Sequence, residues 1–320
     1  MILVTGGAGY IGGAVCKALH KHGYEHVVLD DLSRGCKEFV KWGKLIVGDI
    51  GDKKILEKIF SRYNIEAVIH LAAFIDVGES VKNPAKYYEN NFCKTLILLK
   101  LMIERGVKNM IFSSSAAVYG IPKEIPITEE HELRPINPYG ESKLFVENAL
   151  KRFERAHGLK YISLRYFNAA GATGEIGYVH KYHLIPRILD VAIGAREFLE
   201  IYGTDYETKD GTCVRDYIHI DDLAEAHVLA LEYLLEKEKS DVFNLGCEHG
   251  YSVKEVVEAA ERVTGVKINT IKAPRREGDP PILVASKRKA SQTLGWNPKK
   301  GLREILESSW RWHKKMFSER

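Results

Sequence analysis

The chain has 320 residues, of which 45% are hydrophobic and 28% charged, and 47 basic against 43 acidic side chains leave a formal net charge of +4. That balance excludes a disordered, collagenous or coiled-coil chain, and the length suits one large α/β unit carrying a smaller lobe. Nearly matched charges make no field for nucleic acid, and the longest apolar stretch, residues 96–103, is broken by Lys100 and falls far short of the roughly 20 residues of a membrane span.

Met1 runs straight into a strand-like ILV, without the basic and apolar regions of a secretory leader. Five scattered cysteines (Cys16, Cys36, Cys93, Cys213, Cys247) form no CxxC and no even framework. The expectation is a cytoplasmic chain with reduced thiols and no membrane or nucleic-acid partner. Residues 2–5, 26–30, 45–47, 67–71, 110–113 and 161–165 read as strands. Each is a continuous apolar run, the pattern of parallel strands buried on both faces. Helical stretches alternate with them, which predicts a doubly wound parallel α/β Rossmann sheet.

After Phe167 the alternation stops. Residues 168–208 are rich in Gly, His and Tyr. Strands are expected at 214–219 and 242–245, helices at 222–235, 253–264 and 302–317, and a charged loop at 274–281. The division expected is a sheet domain over 1–168, to which the chain returns around 214–250, and a smaller C-terminal α/β lobe over 169–320.

Gly6-Gly7-Ala8-Gly9-Tyr10-Ile11-Gly12 follows the first strand and opens a helix. It satisfies GxGxxG through Gly7, Gly9 and Gly12, and GxxGxxG through Gly6, Gly9 and Gly12. A tight turn without Cβ atoms lets backbone approach a pyrophosphate, and the helix N-terminus offers amides and partial positive charge. The second strand ends in Asp30, which can accept both ribose hydroxyls and repels a 2′-phosphate, so NAD is the expected cofactor. Arg34 is the residue that would favour NADP. Asp49-Ile50, past the third strand, falls where an adenine edge would lie.

Asn137-Pro138-Tyr139-Gly140-Glu141-Ser142-Lys143 opens a helix with Pro near its first turn and Gly158 as a C-terminal cap. Tyr139 and Lys143 at i and i+4 share a face, and a lysine ammonium beside a phenol favours the phenolate, making Tyr139 a base near neutral pH. Ser113-Ser114-Ser115 ends another strand of the same sheet. In such a sheet the carboxyl ends of the strands share one crevice. Ser, Tyr and Lys together make a hydride-transfer constellation.

TGGAGYIG, FSSSAAVYG, NPYGESK, LRYFNAAGA, DGTCVRDYIHIDDLA and APRREGD, in this order over almost the full length, resemble the extended short-chain dehydrogenase/reductase family, and within it the UDP-glucose (UDP-galactose) 4-epimerases. The resemblance implies NAD-dependent C4 epimerisation of a UDP-hexose through a 4-keto intermediate, with 1–168 as NAD-binding domain, 169–320 as UDP-sugar lobe, and a homodimer. It implies Tyr139 as catalytic base, Lys143 as its partner and Ser115 as the hydroxyl at the sugar. Cofactor positions implied are Gly6, Gly9, Tyr10, Ile11 and Gly12 at the turn, with Asp30, Asp31, Leu32, Ser33, Arg34 and Gly35 after the second strand. Asp49, Ile50, Leu71, Ala72, Ala73, Asn90, Ser113 and Phe167 complete that set. Substrate positions implied are Asn168, His183, Leu184, Tyr202, Arg215, Arg276 and Asp279. Two arginines suit a diphosphate, because a guanidinium fork meets its oxygens in pairs.

Three positions depart from the family pattern: His183 where Asn is frequent, Ile75 where Lys is frequent, and Leu283 where some members carry Tyr. Leu283 leaves room for an N-acetyl group at C2. UDP-N-acetylhexosamine, UDP-pentose and UDP-uronate therefore stay open as substrates. A dehydratase would follow Ser115 with an acid–base pair, whereas Ala116-Ala117 stand there. A non-catalytic nucleotide sensor would not need the Tyr–Lys pair. His180 and His183, without HExxH, make no metal site. The stretch 85–105, apolar nearly all round in its second half, and the Tyr139 helix are the candidate dimer faces.

Overall fold

The computed structural model describes residues 1–178, 183–276 and 279–318. The N-terminal half lays down β1 (Ile2–Thr5), α1 (Tyr10–Lys21), β2 (His26–Asp30), β3 (Lys44–Val47), α2 (Lys53–Arg62), β4 (Ala67–His70), α3 (Val77–Lys82), α4 (Pro84–Tyr87) and α5 (Lys94–Glu104). There follow β5 (Asn109–Ser115), α6 (Pro138–His157), β6 (Lys160–Tyr166), β7 (Asn168–Ala170), α7 (Leu184–Ala192) and β8 (Leu199–Tyr202). The rest is β9 (Val214–His219), α8 (Ile220–Lys237), β10 (Asp241–Leu245), β11 (Gly250–Ser252), α9 (Val253–Thr264), β12 (Thr270–Ala273), β13 (Ile282–Leu283), α10 (Arg288–Leu294) and α11 (Leu302–Ser318).

Seven strands form one parallel sheet in the order β10-β6-β5-β4-β1-β2-β3. Alternate residues feed its two faces. Leu3, Val27, Val68 and Met110 pack with Leu56, Leu98 and Val146 of α2, α5 and α6. Val4, Val28, Ile69 and Ile111 pack with Val15 and Leu223 of α1 and α8. The order reverses direction at β1 and β4, which places a ligand crevice at their carboxyl ends.

Of the late strands, only β10 reaches this sheet, beside β6. β9 instead centres a small mixed sheet with β7, β11 and β13, while β8 and β12 pair in parallel as a separate ribbon. β3 departs from the expected two-sided burial. It is the edge strand, partnered by β2 alone, and Val47 is 58% exposed.

The stretch expected as one helix over 85–105 is three pieces. α4 passes into a π-helical turn, Tyr88–Cys93, before α5 resumes. The widened turn brings Asn90 to the crevice and buries Asn91. Asn91 is bound on both sides: Oδ1 accepts from Phe74 N (2.8 Å), and Nδ2 donates to Phe74 O (2.9 Å) and Ser142 Oγ (3.1 Å). This fastens the segment after β4 to α6. On the outer side, Phe145 of α6 stays 40% exposed against Tyr88 and Phe92, in the region expected as a dimer face. Among the described residues no helix is long and apolar enough to cross a membrane.

Candidate active site

One cavity of about 1220 Å³ runs from the turn after β1, across the carboxyl ends of β4 and β5, to the small sheet. Its cofactor end is made by backbone. Gly6 has φ +74°, and a Cβ there would meet Ala72 N at 2.6 Å. At Gly12 a Cβ would meet Gly6 O at 2.1 Å. Only glycine lets α1 start this close to the strand. The N-cap, Gly9, makes no side-chain cap, and Gly9, Tyr10, Ile11 and Gly12 line the cavity. A helix N-terminus left without a side-chain cap fits a pyrophosphate.

Asp30 is buried, accepting from Ala8 N (3.0 Å) and Leu32 N (2.9 Å), and burial raises its pKa. Gly35 is pressed against it, so that a Cβ would lie 2.6 Å from Asp30 Oδ1. Asp31, Ser33 and Arg34 line the cavity, but Leu32 does not. This corrects the expectation for Leu32. Its backbone is left-handed (φ 61°), and its amide serves the Asp30 turn. Arg34 is bonded to Glu79 at 3.0 Å and lies 5.5 Å from the Phe74 ring, so its charge is already matched by a carboxylate. Asp49 is paired with Lys94 and lines the cavity beside buried Ile50. Leu71, Ala72, Ala73, Asn90 and Phe167 line it as well, and Ile75 does so while 47% exposed. This set of backbone, acidic lip and apolar walls fits NAD.

At the middle stand Ser113, Ser115, Tyr139 and Lys143. Asn137 caps α6 by accepting from Gly140 N (2.9 Å), Pro138 fills its first turn, and Gly158 ends it at φ 71°. Tyr139 is buried, with Ser115 near enough to favour its phenolate. Ser113 Oγ meets the hydroxyl of Tyr166, a cavity residue just past the strand expected at 161–165 and left without a role there.

The expected effect of Lys143 on Tyr139 is not what the geometry gives. Lys143 Nζ donates to Ser113 O at 2.8 Å and sits 6.0 Å from the Tyr139 ring centroid. Burial dominates both groups: it raises the Tyr139 pKa, opposed by Ser115, and lowers that of Lys143 to about 7. The unfolded lysine titrates at 10.5, so between about pH 7 and that value the unfolded chain holds the extra proton, and stability rises with pH. The thermal midpoint of the cofactor-free chain is therefore expected to rise between pH 7 and about pH 9. Lys143→Met should flatten that rise; equal slopes in the two proteins would contradict it.

The far end carries the arginines. Arg215 on β9 donates to Asp279 Oδ1 (2.9 Å) and Val214 O (2.9 Å). The Arg276 guanidinium lies 4.0 Å over the Tyr202 ring, and Arg187, which the sequence reading missed, lies 5.6 Å from that ring and pairs with Glu200. These two cations hold the Tyr202 phenol below its usual pKa. Asn168 of β7 stands opposite Tyr217 of β9, and both line the cavity. Leu184 and His183 line the cavity at the start of α7, and Leu283 forms part of the same wall. Tyr178 was also missed. Its ring lies 4.5 Å from Tyr10 and 4.9 Å from His183, in a segment with no periodicity to mark it. His180 lies outside the described residues, and among those described no group of three His, Cys, Asp or Glu is placed to hold a metal.

The chain matches the model of the NAD dependent epimerase/dehydratase family over residues 2–246. It is 50% identical over 316 residues to a UDP-glucose 4-epimerase of Rhizobium meliloti (strain 1021), covering 98% of this chain and 96% of the relative. Among solved structures it is similar to UDP-glucose 4-epimerase from Brucella ovis in complex with NAD (46% identity, TM-score 0.94, 98% of each chain). It is also similar to UDP-glucose 4-epimerase from Bifidobacterium longum in complex with NAD+ and UDP (41% identity, TM-score 0.93, 98% of each chain). The chain belongs to the NAD dependent epimerase/dehydratase family.

Proposed function

We propose that this chain is an NAD-dependent 4-epimerase of a UDP-hexose, interconverting UDP-galactose and UDP-glucose by reversible hydride transfer through a 4-keto sugar. One observation carries the reading. A single cavity joins an uncapped glycine-turn helix, a Ser115–Tyr139–Lys143 centre and, at its far end, arginines that include Arg215 and Arg276, and Ala116 and Ala117 follow Ser115 where a dehydratase would need an acid–base pair.

NAD, held at the glycine turn and Asp30, would supply a reversible hydride acceptor for the sugar C4, so that no net oxidation occurs. Tyr139 takes the proton of the 4-hydroxyl and gives it back. Ser115, beside that phenol, favours its ionised form. Lys143, anchored on Ser113 O, stands where the cofactor ribose would be gripped. Arg215 and Arg276 hold the diphosphate while the pyranose turns, which requires strong contacts at the nucleotide and weak ones at the ring.

Leu283, half-buried in the cavity wall, favours a second substrate, the N-acetylated UDP-hexose pair. The first test follows UDP-galactose by proton NMR, with the protein as purified and then with added NAD+. Appearance of UDP-glucose supports the reading; loss of the C6 hydroxyl overturns it, as would loss of the carboxylate from a UDP-uronate in the same assay. UDP-N-acetylgalactosamine in the same assay tests the wall, and turnover below about a thousandth of the hexose rate would count against an open pocket.

A further inference from the structure

The three serines ending β5 alternate sides. Ser113 and Ser115 line the cavity, while Ser114 is fully buried and donates to Glu147 Oε1 at 2.6 Å. Glu147 lies eight residues beyond Tyr139 and four beyond Lys143 on α6, so the three share a face of that helix. Its carboxylate is buried and forked onto Arg165 of β6, Nε to Oε1 at 2.9 Å and Nη2 to Oε2 at 2.5 Å. Arg165 Nη1 then donates to the Tyr119 hydroxyl (2.9 Å), which donates to Asn244 Oδ1 (2.6 Å). Asn244 Nδ2 donates to Ile127 O (2.9 Å), and Ile127 N donates to Val284 O (2.8 Å), next to Leu283. None of the residues from Ser114 to Ile127 in this path lines the cavity.

A buried ion pair contributes little net stability compared with well-packed apolar side chains of the same size. What this one supplies is geometry. Lys143 to Ser113 O and Ser114 to Glu147 are two bonds, one helical turn apart, between consecutive residues of β5 and one face of α6. Together they set how far α6 stands along β5. We propose that Glu147, held by Arg165 and reaching Ser114, is a positioning residue that sets where the Tyr139 phenol stands relative to Ser115. The inference rests on the epimerase reading for its kinetic consequence, but not for its structural one.

The test uses the NAD-loaded protein and two changes: Ser114→Ala, which cuts the link and leaves the ion pair, and the joint Glu147→Met/Arg165→Met, which removes both charges together. Each should lower kcat by about tenfold or more with KM within about twofold, since misplacing a catalytic group costs rate rather than anchoring. Adding Ser114→Ala to the Met pair should cost nothing further. A difluorotyrosine placed at position 139 reports the phenol directly by fluorine NMR. Its ionisation should move to higher pH in Ser114→Ala, because the phenol is displaced from the Ser115 hydroxyl that favours the phenolate. An unchanged midpoint overturns the inference whatever the turnover. If the unaltered protein epimerises no UDP-sugar, the functional reading fails while this titration still decides the positioning role.

Discussion

Tyr139→Phe is expected to lower kcat by about 10³-fold while UDP affinity stays within about threefold. The substitution keeps the ring that packs at the start of α6 and removes one hydroxyl. Both Tyr139 and Ser115 face a cavity water can enter, so loss of the hydroxyl costs at most about 1 kcal/mol of stability. The removed hydroxyl is the phenol beside Ser115 at the centre. The Tyr166 hydroxyl is engaged by Ser113 and does not replace it. The proposed nucleotide anchor at Arg215 and Arg276 is untouched, which is why affinity should hold. Steady-state kinetics with UDP-galactose and calorimetric titration of UDP check both halves. Near-normal turnover removes Tyr139 from the proton-transfer role.

Arg215→Ala should show the opposite split, with KM raised by about 10–150-fold and kcat within a few-fold. The Arg215 side chain is 12% exposed on β9, and bonds to Asp279 and to Val214 O fix its guanidinium. A charge-assisted bond from a pre-organised group to a diphosphate contributes about 1.5–3 kcal/mol, equally in ground and transition states, and such uniform binding appears in KM. Removing it also leaves the Asp279 carboxylate unpaired beside the phosphates. Arg215→Lys should recover only part of the loss, since an ammonium lacks the planar fork. Equal kcat loss in Arg215→Ala and Tyr139→Phe would show that the arginine acts on the reacting sugar and not on the anchor.

The strands and the two key helices were legible because their signals are local. A run such as Ile2–Thr5 is apolar throughout and sits inside the sheet, and Val253–Thr264 is bounded by a Ser252 cap and Gly265. Residues 168–208 were not legible. β8 pairs with β12, about seventy residues later, and neither strand carries a pattern that names the other. The π-helical turn was hidden by the strong apolar run of α5, which reads as a helix continuing backwards. Lys143 was placed correctly in sequence beside Tyr139, but its effect was misjudged, because desolvation belongs to the folded surroundings and not to the i,i+4 spacing.

The sequence by itself determined the parts of this protein that are built within a few residues: the glycine turn at the head of α1, the acidic end of β2, and the Tyr139–Lys143 face of a capped helix. Each follows from steric freedom at φ above zero, from a cap, or from helical spacing. Only the tertiary structure decided which side chains meet. Ser114 and Glu147 are 33 residues apart, and Arg215 and Asp279 are 64 apart. Those contacts depend on strand order and on how α6 and the small sheet close over the carboxyl ends, and local propensity carries no record of either.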